Sequence, residues 1–382
     1  MVSCPVGCIE MRPATLGALV PHVDISKCVG CGKCEMVCPM LHTKQLKRHL
    51  TFQQAVYAVY AKNPKIRFMG SSGGVFGVLA NHLIDQGYKV YGAGFTEDLK
   101  LVCKSAETET ELEILMKSKY LQCSMSGQFA QIKSDLEKNR RVMVVLTPCM
   151  IAALKQYLGK VYNNLLTVDF LCHGVPSQKF FDQCVEYEDQ RHRCKTRAYS
   201  FRTKIPNGVT PHYFTVEVEK NGKIKTVTKP YYKSAFYAFF QRYLTLRESC
   251  YDCVFSEQER CSDITIADFH RIEDYVKNIN RFDGVSTVIV NTDKGSKVFD
   301  EVRGCFWLQE FSMQNLVEDG VLFSEKTKRP KIRDAFVESY NQRAFEDFVN
   351  DNTPTMKYFF YELYYGLPRI LRDILKKLCN LK

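Results

Sequence analysis

The sequence predicts an α/β protein, α+β overall: a small cysteine-rich module, then a core with a parallel or mixed sheet and an inserted β-hairpin. Three observations predict it. "KCVGCGKCEMVCP" sets its cysteines at two- and three-residue gaps, with no apolar periodicity around them. A strand–turn–cysteine–helix unit occurs in "RRVMVVLTPCMIAALKQYLG" and again in "NLLTVDFLCHGVPSQKFFDQCVEY"; strands alternating with helices imply a parallel sheet. Asn221-Gly222, the favoured pair for a tight hairpin turn, stands between two alternating strands.

The elements follow in order. Residues 1–45 form the cysteine-rich module; lacking an apolar core, it must be held by a metal centre. Residues 46–162 and 163–330 make the two parts of the core, and 331–382 a helical tail. Val75 to Gln86 reads as an amphipathic helix entered from a Ser-Gly loop and stopped at Gly87. Lys89 to Ala93 reads as a strand. The two repeated units place their turns at Thr147-Pro148-Cys149 and Cys172-His173-Gly174, with helices ending near Gly159 and starting about Ser177. Both turns leave the carboxyl ends of parallel strands, the edge where open α/β sheets bind ligands. "SDITIADF" and "GVSTVIVNT" give two further strands. In the tail, Ile370, Leu371, Ile374, Leu375 and Leu378 recur at helical spacing between Arg369, Arg372, Lys376 and Lys377. Such a helix lies on an anionic membrane surface or packs its stripe on the protein's own core.

Composition sets the chemical class. The 382 residues are 45% hydrophobic and 25% charged, ordinary for a globular protein. No apolar run approaches the ~20 residues of a membrane span, and no signal-peptide pattern opens the chain; a cytoplasmic protein is expected. In that compartment 17 cysteines mean metal rather than disulfides. A net charge of +11 favours anionic partners: an acidic redox protein, a nucleotide, a membrane surface. The charge forms no long block, so a nucleic-acid tail is not expected.

Cys28-x2-Cys31-x2-Cys34-x3-Cys38-Pro39 is the spacing with which ferredoxins bind a [4Fe–4S] cluster, on a backbone that Gly30 and Gly32 allow to curl. Zinc usually takes Cys-x2-Cys pairs set far apart. In two-cluster ferredoxins the cysteine before proline ligates the other cluster. Cys28, Cys31 and Cys34 therefore want a fourth thiolate, and Cys4-Pro5 is the obvious donor; Cys38 is then left over. The chain is accordingly expected to begin inside a first motif, with Met1 internal and two clusters in the full protein, Cys4 completing one and Cys38 the other. The alternative is a genuine start in a lineage that has lost one cluster. Cys8 falls where such modules run on into an apolar turn.

"RESCYDC" holds Cys250-x2-Cys253, open to a second cluster, zinc or a redox dithiol; with Cys149 and Cys172 on the sheet rim it completes four thiolates. Cys103, Cys123, Cys184, Cys194, Cys261, Cys305 and Cys379 are expected to be mostly buried small apolar residues. Ser71-Ser72-Gly73-Gly74 precedes a helix, where free N–H groups cradle a phosphate or pyrophosphate, or where a serine caps and glycines turn. His173, beside Cys172, and His270, after Asp268-Phe269, are candidate proton donors near a redox centre or satisfied structural histidines; with Asp268 they make the candidate catalytic set.

"SSGGVFGVLA", "TPCMIAALKQYLG", "VDFLCHGVPS", "RESCYDC", "SDITIADF" and "DGVSTVIVNT", in that order, resemble the beta-subunit family of coenzyme F-420 (deazaflavin) hydrogenases and dehydrogenases. The resemblance runs from the ferredoxin-like start to about residue 325. It implies an iron–sulfur flavoprotein with FAD, passing electrons between clusters, flavin and a substrate; on the charge reading, a ferredoxin or other redox protein is the expected partner and a small organic molecule the expected acceptor. It makes Ser71 to Gly74 an element of the flavin site and strengthens the second cluster. "CHGVPS" and "RESCYDC" are most similar to the bacterial branch found with surface-polysaccharide biosynthesis. One departure is plain: family members often carry Trp-Gly after Asp-Phe, and this chain has His270-Arg271. Two rival readings stand beside the enzyme: a non-catalytic electron-transfer subunit of a larger complex, and a zinc- or cluster-bearing binding protein without turnover.

Overall fold

A computed structural model describes residues 3–43, 53–206, 208, 212–318, 326–367 and 371–372. The strands are β1 (Ile9–Pro13), β2 (Leu19–Val23), β3 (Ala55–Ala61), β4 (Lys89–Phe95), β5 (Leu101–Ala106), β6 (Val142–Val145), β7 (Leu165–Phe170), β8 (Lys195–Thr203), β9 (Tyr213–Lys220), β10 (Lys223–Pro230), β11 (Ile264–Asp268), β12 (Ser286–Val290) and β13 (Phe306–Phe311). Eight of them form one sheet in the order β13-β3-β12-β11-β7-β6-β4-β5. β4, β6, β7 and β11 are mutually parallel, as the repeated units predict. β5 runs against β4 on one side, and β12, β3 and β13 alternate in direction on the other, so the sheet is mixed.

The apolar run Val142–Val145 suits a strand covered on both faces. Val142 and Val144 point into the core beneath the helices Pro148–Leu158 and Gln178–His192, with Ile151, Leu154 and Phe180. Met143 points the other way, onto Val78, Leu79 and Leu83 of the helix Val75–Asp85. Gly159, at φ 68°, ends the first of these helices as its sequence position predicts. Ser177 starts the helix Gln178–His192, its hydroxyl accepting from Phe180 N–H at 3.0 Å. The second sheet, β10-β9-β8, contains the expected hairpin: Asn221 at φ 52° and Gly222 at φ 71° take the paired left-handed turn.

One sequence expectation changes. The cysteine-rich start is not held by a metal centre alone. β1 and β2 form a hairpin whose connecting Leu16 is 3% exposed and sits in the main core. Ser177 Oγ donates to Leu16 O at 2.5 Å, and the Gln122 amide clasps both backbone groups of Leu19 at 3.1 Å. The last helices dock on the body. Arg333 is fully buried, donating to Tyr251 Oη at 3.1 Å and Leu246 O at 3.2 Å, while Phe336 and Phe348 pack on Phe239. The apolar stripe expected from Ile370 to Leu378 lies outside the described residues except for Leu371. As expected, most of the remaining cysteines are buried: Cys103, Cys123, Cys184 and Cys261, with Cys194 half-buried and Cys305 exposed; Cys379 lies outside the described residues.

The Ser-Gly loop locks the helix Val75–Asp85 to the sheet. Gly73 donates its N–H to Ser286 Oγ at 2.8 Å, and its carbonyl accepts from Ala61 N–H at 2.7 Å. A Cβ there would stand 2.4 Å from Val59 O and 2.8 Å from Ser286 N, both backbone atoms of central strands. Gly73→Ala is therefore expected to lose about 1–3 kcal/mol of stability. Gly304→Ala, whose Cβ meets nothing within 4 Å, is expected to be neutral. Chemical denaturation of both variants checks this, and equal losses would contradict it.

Candidate functional site

The carboxyl edge of β6, β7 and β11 gathers Cys149, Cys172, Cys250 and Cys253 with His173, Asp268 and His270. Cys149 follows β6 at the second position of the helix Pro148–Leu158, exposed, its Sγ 3.3 Å from Thr147 Oγ1. Cys172 follows β7, its Sγ accepting from Gly174 N–H at 3.4 Å. Cys250 and Cys253 come from the segment between β10 and β11, which reaches the same edge because Arg247 N–H donates to Val175 O at 2.9 Å. The two cysteine loops touch at Gly174, where a Cβ would stand 2.8 Å from Cys250 Cβ. Glycine alone lets them approach so closely. Behind them Arg260 pairs with Asp169 of β7 at 3.2 Å, both fully buried, and donates to the carbonyls of Phe255 and Phe170 at 3.0 and 3.2 Å.

The thiols feel one another. Burial pushes Cys172 well above the ordinary thiol range, and Cys149, Cys250 and Cys253 add to the push. Burial takes Cys250 up to about 11, again with Cys149 and Cys253 opposing its ionisation. The thiolates of Cys172 and Cys250 therefore need a nearby positive charge to form at neutral pH. Among the described residues no three His, Cys, Asp or Glu side chains converge tightly enough for a single metal ion. A four-iron cubane instead takes its thiolates at separate corners.

At the other end, the sequence's first cysteine set is only partly assembled. Cys4 Sγ lies 3.4 Å from Cys8 Sγ, and the Cys8 thiol is taken up to about 11 by Cys4, burial and Cys28. Cys8, 5% exposed, fills the apolar turn expected of it. Cys28, Cys31 and Cys34 are exposed and Cys38 half-buried; Gly30 and Gly32 both take positive φ, and the helix Lys33–Met36 carries Cys34.

Beside the rim opens a cleft of about 270 Å³ lined by Ser71, Ser72, Asp268 and His270, all expected, and by Arg202, Lys204, His212 and Arg281, which sequence reasoning missed. Arg202 ends β8 against Asp268 in an ion pair. Burial alone would raise the Asp268 carboxyl; Arg202, His270 and a hydrogen bond from Ser72 outweigh it and hold the group well below the usual carboxylate range. Lys204 donates to Arg67 O at 2.5 Å and to Ser72 O. Burial, with Arg202 and Arg67 close by, brings its amine down to about 7, against the pull of Asp268 and Asp283. Burial and Arg202 bring His212 down to about 3. His270 stands at the solvent-open mouth, and desolvation lowers it despite Asp268. His173 stacks on Tyr243 with ring centroids 5.8 Å apart; desolvation and then His270 lower it. Both imidazoles are therefore neutral near pH 7. Arg271, the second residue of the departure from the family pattern, turns away to Asp274 at 2.7 Å.

The Ser-Gly loop contributes side chains more than a cradle of amides. Gly73 N–H is already taken by Ser286; Ser72 Oγ donates to Val285 O at 2.8 Å, and Ser71 Oγ accepts from Ser118 N–H at 2.7 Å. Asp268 is matched by Arg202, and Arg281 faces Glu273 at 3.6 Å, so Lys204 supplies the surplus positive charge of the cleft, and an anion is what it can hold. Arg202 and Lys204 had one sequence signal, the basic alternation of "FRTK" at the end of a strand that already carries Lys195 and Arg197; His212 and Arg281 had none.

Residues 139–313 match the family described as the C terminus of the coenzyme F420 hydrogenase/dehydrogenase beta subunit, and residues 20–42 match a 4Fe-4S binding domain. The chain thus carries the C-terminal region of that beta-subunit family together with a 4Fe-4S binding domain, as its motifs predict. No curated protein matches it. A chain of the F420-reducing [NiFe] hydrogenase complex from Methanosarcina barkeri is similar at 18% identity, over 66% of this chain and 81% of that one, with a TM-score of 0.42; a likeness that loose decides nothing about this site.

Sulfate, whose own charge is constant across the range, is expected to bind this cleft more weakly at pH 8 than at pH 6. Lys204 is the titrating group: its amine is charged below about 7 and neutral above, while Asp268 stays ionised and His212 neutral throughout. Lys204→Gln is expected to flatten the dependence. Calorimetric titration at both pH values checks it; a flat wild-type profile would leave Arg202 and Arg281 as the only cationic contacts.

Proposed function

We propose that this chain is an iron–sulfur, FAD-dependent oxidoreductase, working in the cytoplasm, that passes electrons from a ferredoxin-type centre through a second [4Fe–4S] centre at the sheet rim to a flavin and on to a small organic acceptor. The observation that carries this reading is the meeting, at one sheet edge, of Cys149, Cys172, Cys250 and Cys253 with the cationic cleft around Lys204. Cys172 and Cys250, both held from ionising with Cys149 and Cys253 beside them, suit ligation to a positively charged centre. At about 270 Å³ the cleft is near the lower end of ordinary small-molecule sites; it suits the phosphate end of a dinucleotide or a small acid, not a whole dinucleotide enclosed.

When bound, the clusters supply one-electron steps and the flavin converts them to hydride transfer. The chain's own residues do the rest. Cys28, Cys31 and Cys34, with Cys4 as fourth donor, hold the first centre; the rim cysteines hold the second. Lys204, Arg281, Ser71 and Ser72 bind the anionic group. The Arg202–Asp268 pair keeps one guanidinium oriented at the cleft wall. His173 and His270, neutral near pH 7, stand between the rim and the cleft, where an imidazole N–H can donate to a reduced acceptor. A ferredoxin or similar acidic redox protein is the proposed electron donor, docking on the basic surface, and a bacterial surface-polysaccharide intermediate the proposed acceptor class.

One further contact is proposed on a specific observation. In the helix Thr355–Gly366, Tyr358, Tyr361 and Tyr365 pack on Tyr232. The opposite side leaves Met356, Phe359, Phe360 and Leu363 54–71% exposed at i, i+3, i+4 and i+7. No described helix is long and apolar enough to cross a membrane. An apolar stripe on a helix followed by Arg369, Arg372, Lys376 and Lys377 suits the surface of an anionic bilayer. Co-sedimentation with phosphatidylglycerol vesicles at low salt, lost in Phe359→Ser/Phe360→Ser, is expected; no sedimentation of the wild type would end this reading.

Anaerobically purified protein is expected to contain iron, sulfide and flavin. Alanine at Cys149, Cys172, Cys250 or Cys253 is each expected to remove about four irons per chain while the spectrum of the first centre survives. Zinc in place of iron would overturn the second centre. Protein without flavin would overturn the flavoenzyme reading. A flavin that dithionite reduces, and no small acceptor reoxidises, would mark the chain as an electron-transfer subunit.

A further inference from the structure

Arg247 stands where the two cysteine loops of the rim join. Its N–H donates to Val175 O at 2.9 Å, just past Cys172, and its carbonyl accepts from Cys250 N–H at 2.9 Å. One backbone group is thus committed to each loop. Leu246, the preceding residue, closes on Gly174, where a Cβ would stand 2.9 Å from Leu246 Cδ1. The Arg247 side chain is left over from this join. Its Nε is buried and has no hydrogen-bond partner among the described residues. Buried donors are almost always satisfied, so an orphan of this kind calls for an explanation.

The other cations at this end of the molecule are matched. Arg260 pairs with Asp169 at 3.2 Å, Lys326 with Asp252 at 2.5 Å, and Arg329 with Glu248 and Asp334, each at 2.5 Å. Glu248 follows Arg247 directly in the chain, yet its two oxygens face Arg329 and Arg333. No carboxylate among the described residues pairs with Arg247. Its guanidinium acts on Cys250 instead, favouring the thiolate against burial.

A guanidinium in this position suits a ligated iron–sulfur centre. The cubane core is positive, but four thiolates outweigh it, and an added electron makes the whole more negative. Hydrogen bonds to the sulfurs and nearby charge set the potential of such a centre. Groups outside the ligand set also fix how the ligands stand. Arginine offers a planar N–H donor whose charge does not vary with pH.

We propose that Arg247 sets the reduction potential of the rim centre, its Nε–H held for the sulfur of ligated Cys250 and its charge stabilising the reduced state. This rests on the four-cysteine reading of the rim. One electron arrives from the ferredoxin-type centre, which is oxidised as the rim centre is reduced, and no bond forms or breaks. Arg247 biases that electron toward the rim.

The test uses the whole chain, purified anaerobically and titrated with dithionite and mediator dyes, with each centre followed by electron paramagnetic resonance. Arg247→Gln is expected to keep about four irons at the rim and to shift its midpoint potential negative. Arg247→Lys, which restores the charge without the planar donor, is expected to fall between Arg247→Gln and the wild type. The potential of the first centre is expected to stay where it is in both variants. An unmoved rim potential in Arg247→Gln would overturn the proposal. Loss of the rim iron in both variants would overturn it too, since Arg247 would then only build the loops. Iron counts on wild type and Cys250→Ala, measured alongside, separate the underlying reading: equal counts would remove the rim centre itself, whereas a rim centre whose potential ignores Arg247 would remove this inference alone.

Discussion

The buried ion pair of Arg260 with Asp169 is the contact on which the chemical end of this molecule depends. Asp169 belongs to β7, in the middle of the sheet, and also accepts from Thr265 of β11 at 2.5 Å. Arg260 belongs to the long connection that carries Cys250 and Cys253, and it donates to carbonyls on both sides of the join. Two charges removed from water stabilise a structure only when each satisfies the other. Here they stitch an irregular cysteine-bearing segment to the end of the strand that bears Cys172. Losing either partner would strand a buried charge and release that segment.

The two functional regions at this edge oppose each other electrostatically. The rim concentrates thiols that resist ionising beside one another, so it favours a cationic occupant. The neighbouring cleft concentrates Lys204, Arg202 and Arg281, so it favours an anion. Asp268 belongs to neither role: paired with Arg202, it serves as a fixed counter-charge that positions the guanidinium.

How much of this was legible can be argued residue by residue. The turns at Cys149 and Cys172 follow from the doubled strand–turn unit, because parallel strands put their carboxyl ends on a common edge whatever the side chains. Ser72 and His270 were legible only as isolated candidates; that they share a cleft depends on β12 lying beside both β3 and β11. Arg202 and Lys204 were not legible, because a basic pair at the end of a strand is most often solvated. The β1–β2 hairpin was not legible either: its short strands are mostly exposed, and what orders them is Leu16, a single apolar residue reaching 161 positions along the chain to Ser177.

The amino-acid order by itself determined the local events of this protein. Cysteine spacing, the helix caps at Ser177 and Gly159, the Asn221-Gly222 turn and the alternation of strand with helix are all set within a few residues, where backbone geometry and propensity act alone. The tertiary structure decided which of these meet. Strand order placed the Cys250 loop against Gly174 and brought Asp268 to Arg202. Those outcomes are long-range because each needs two surfaces from distant parts of the chain to exclude water together, and no local spacing encodes that pairing.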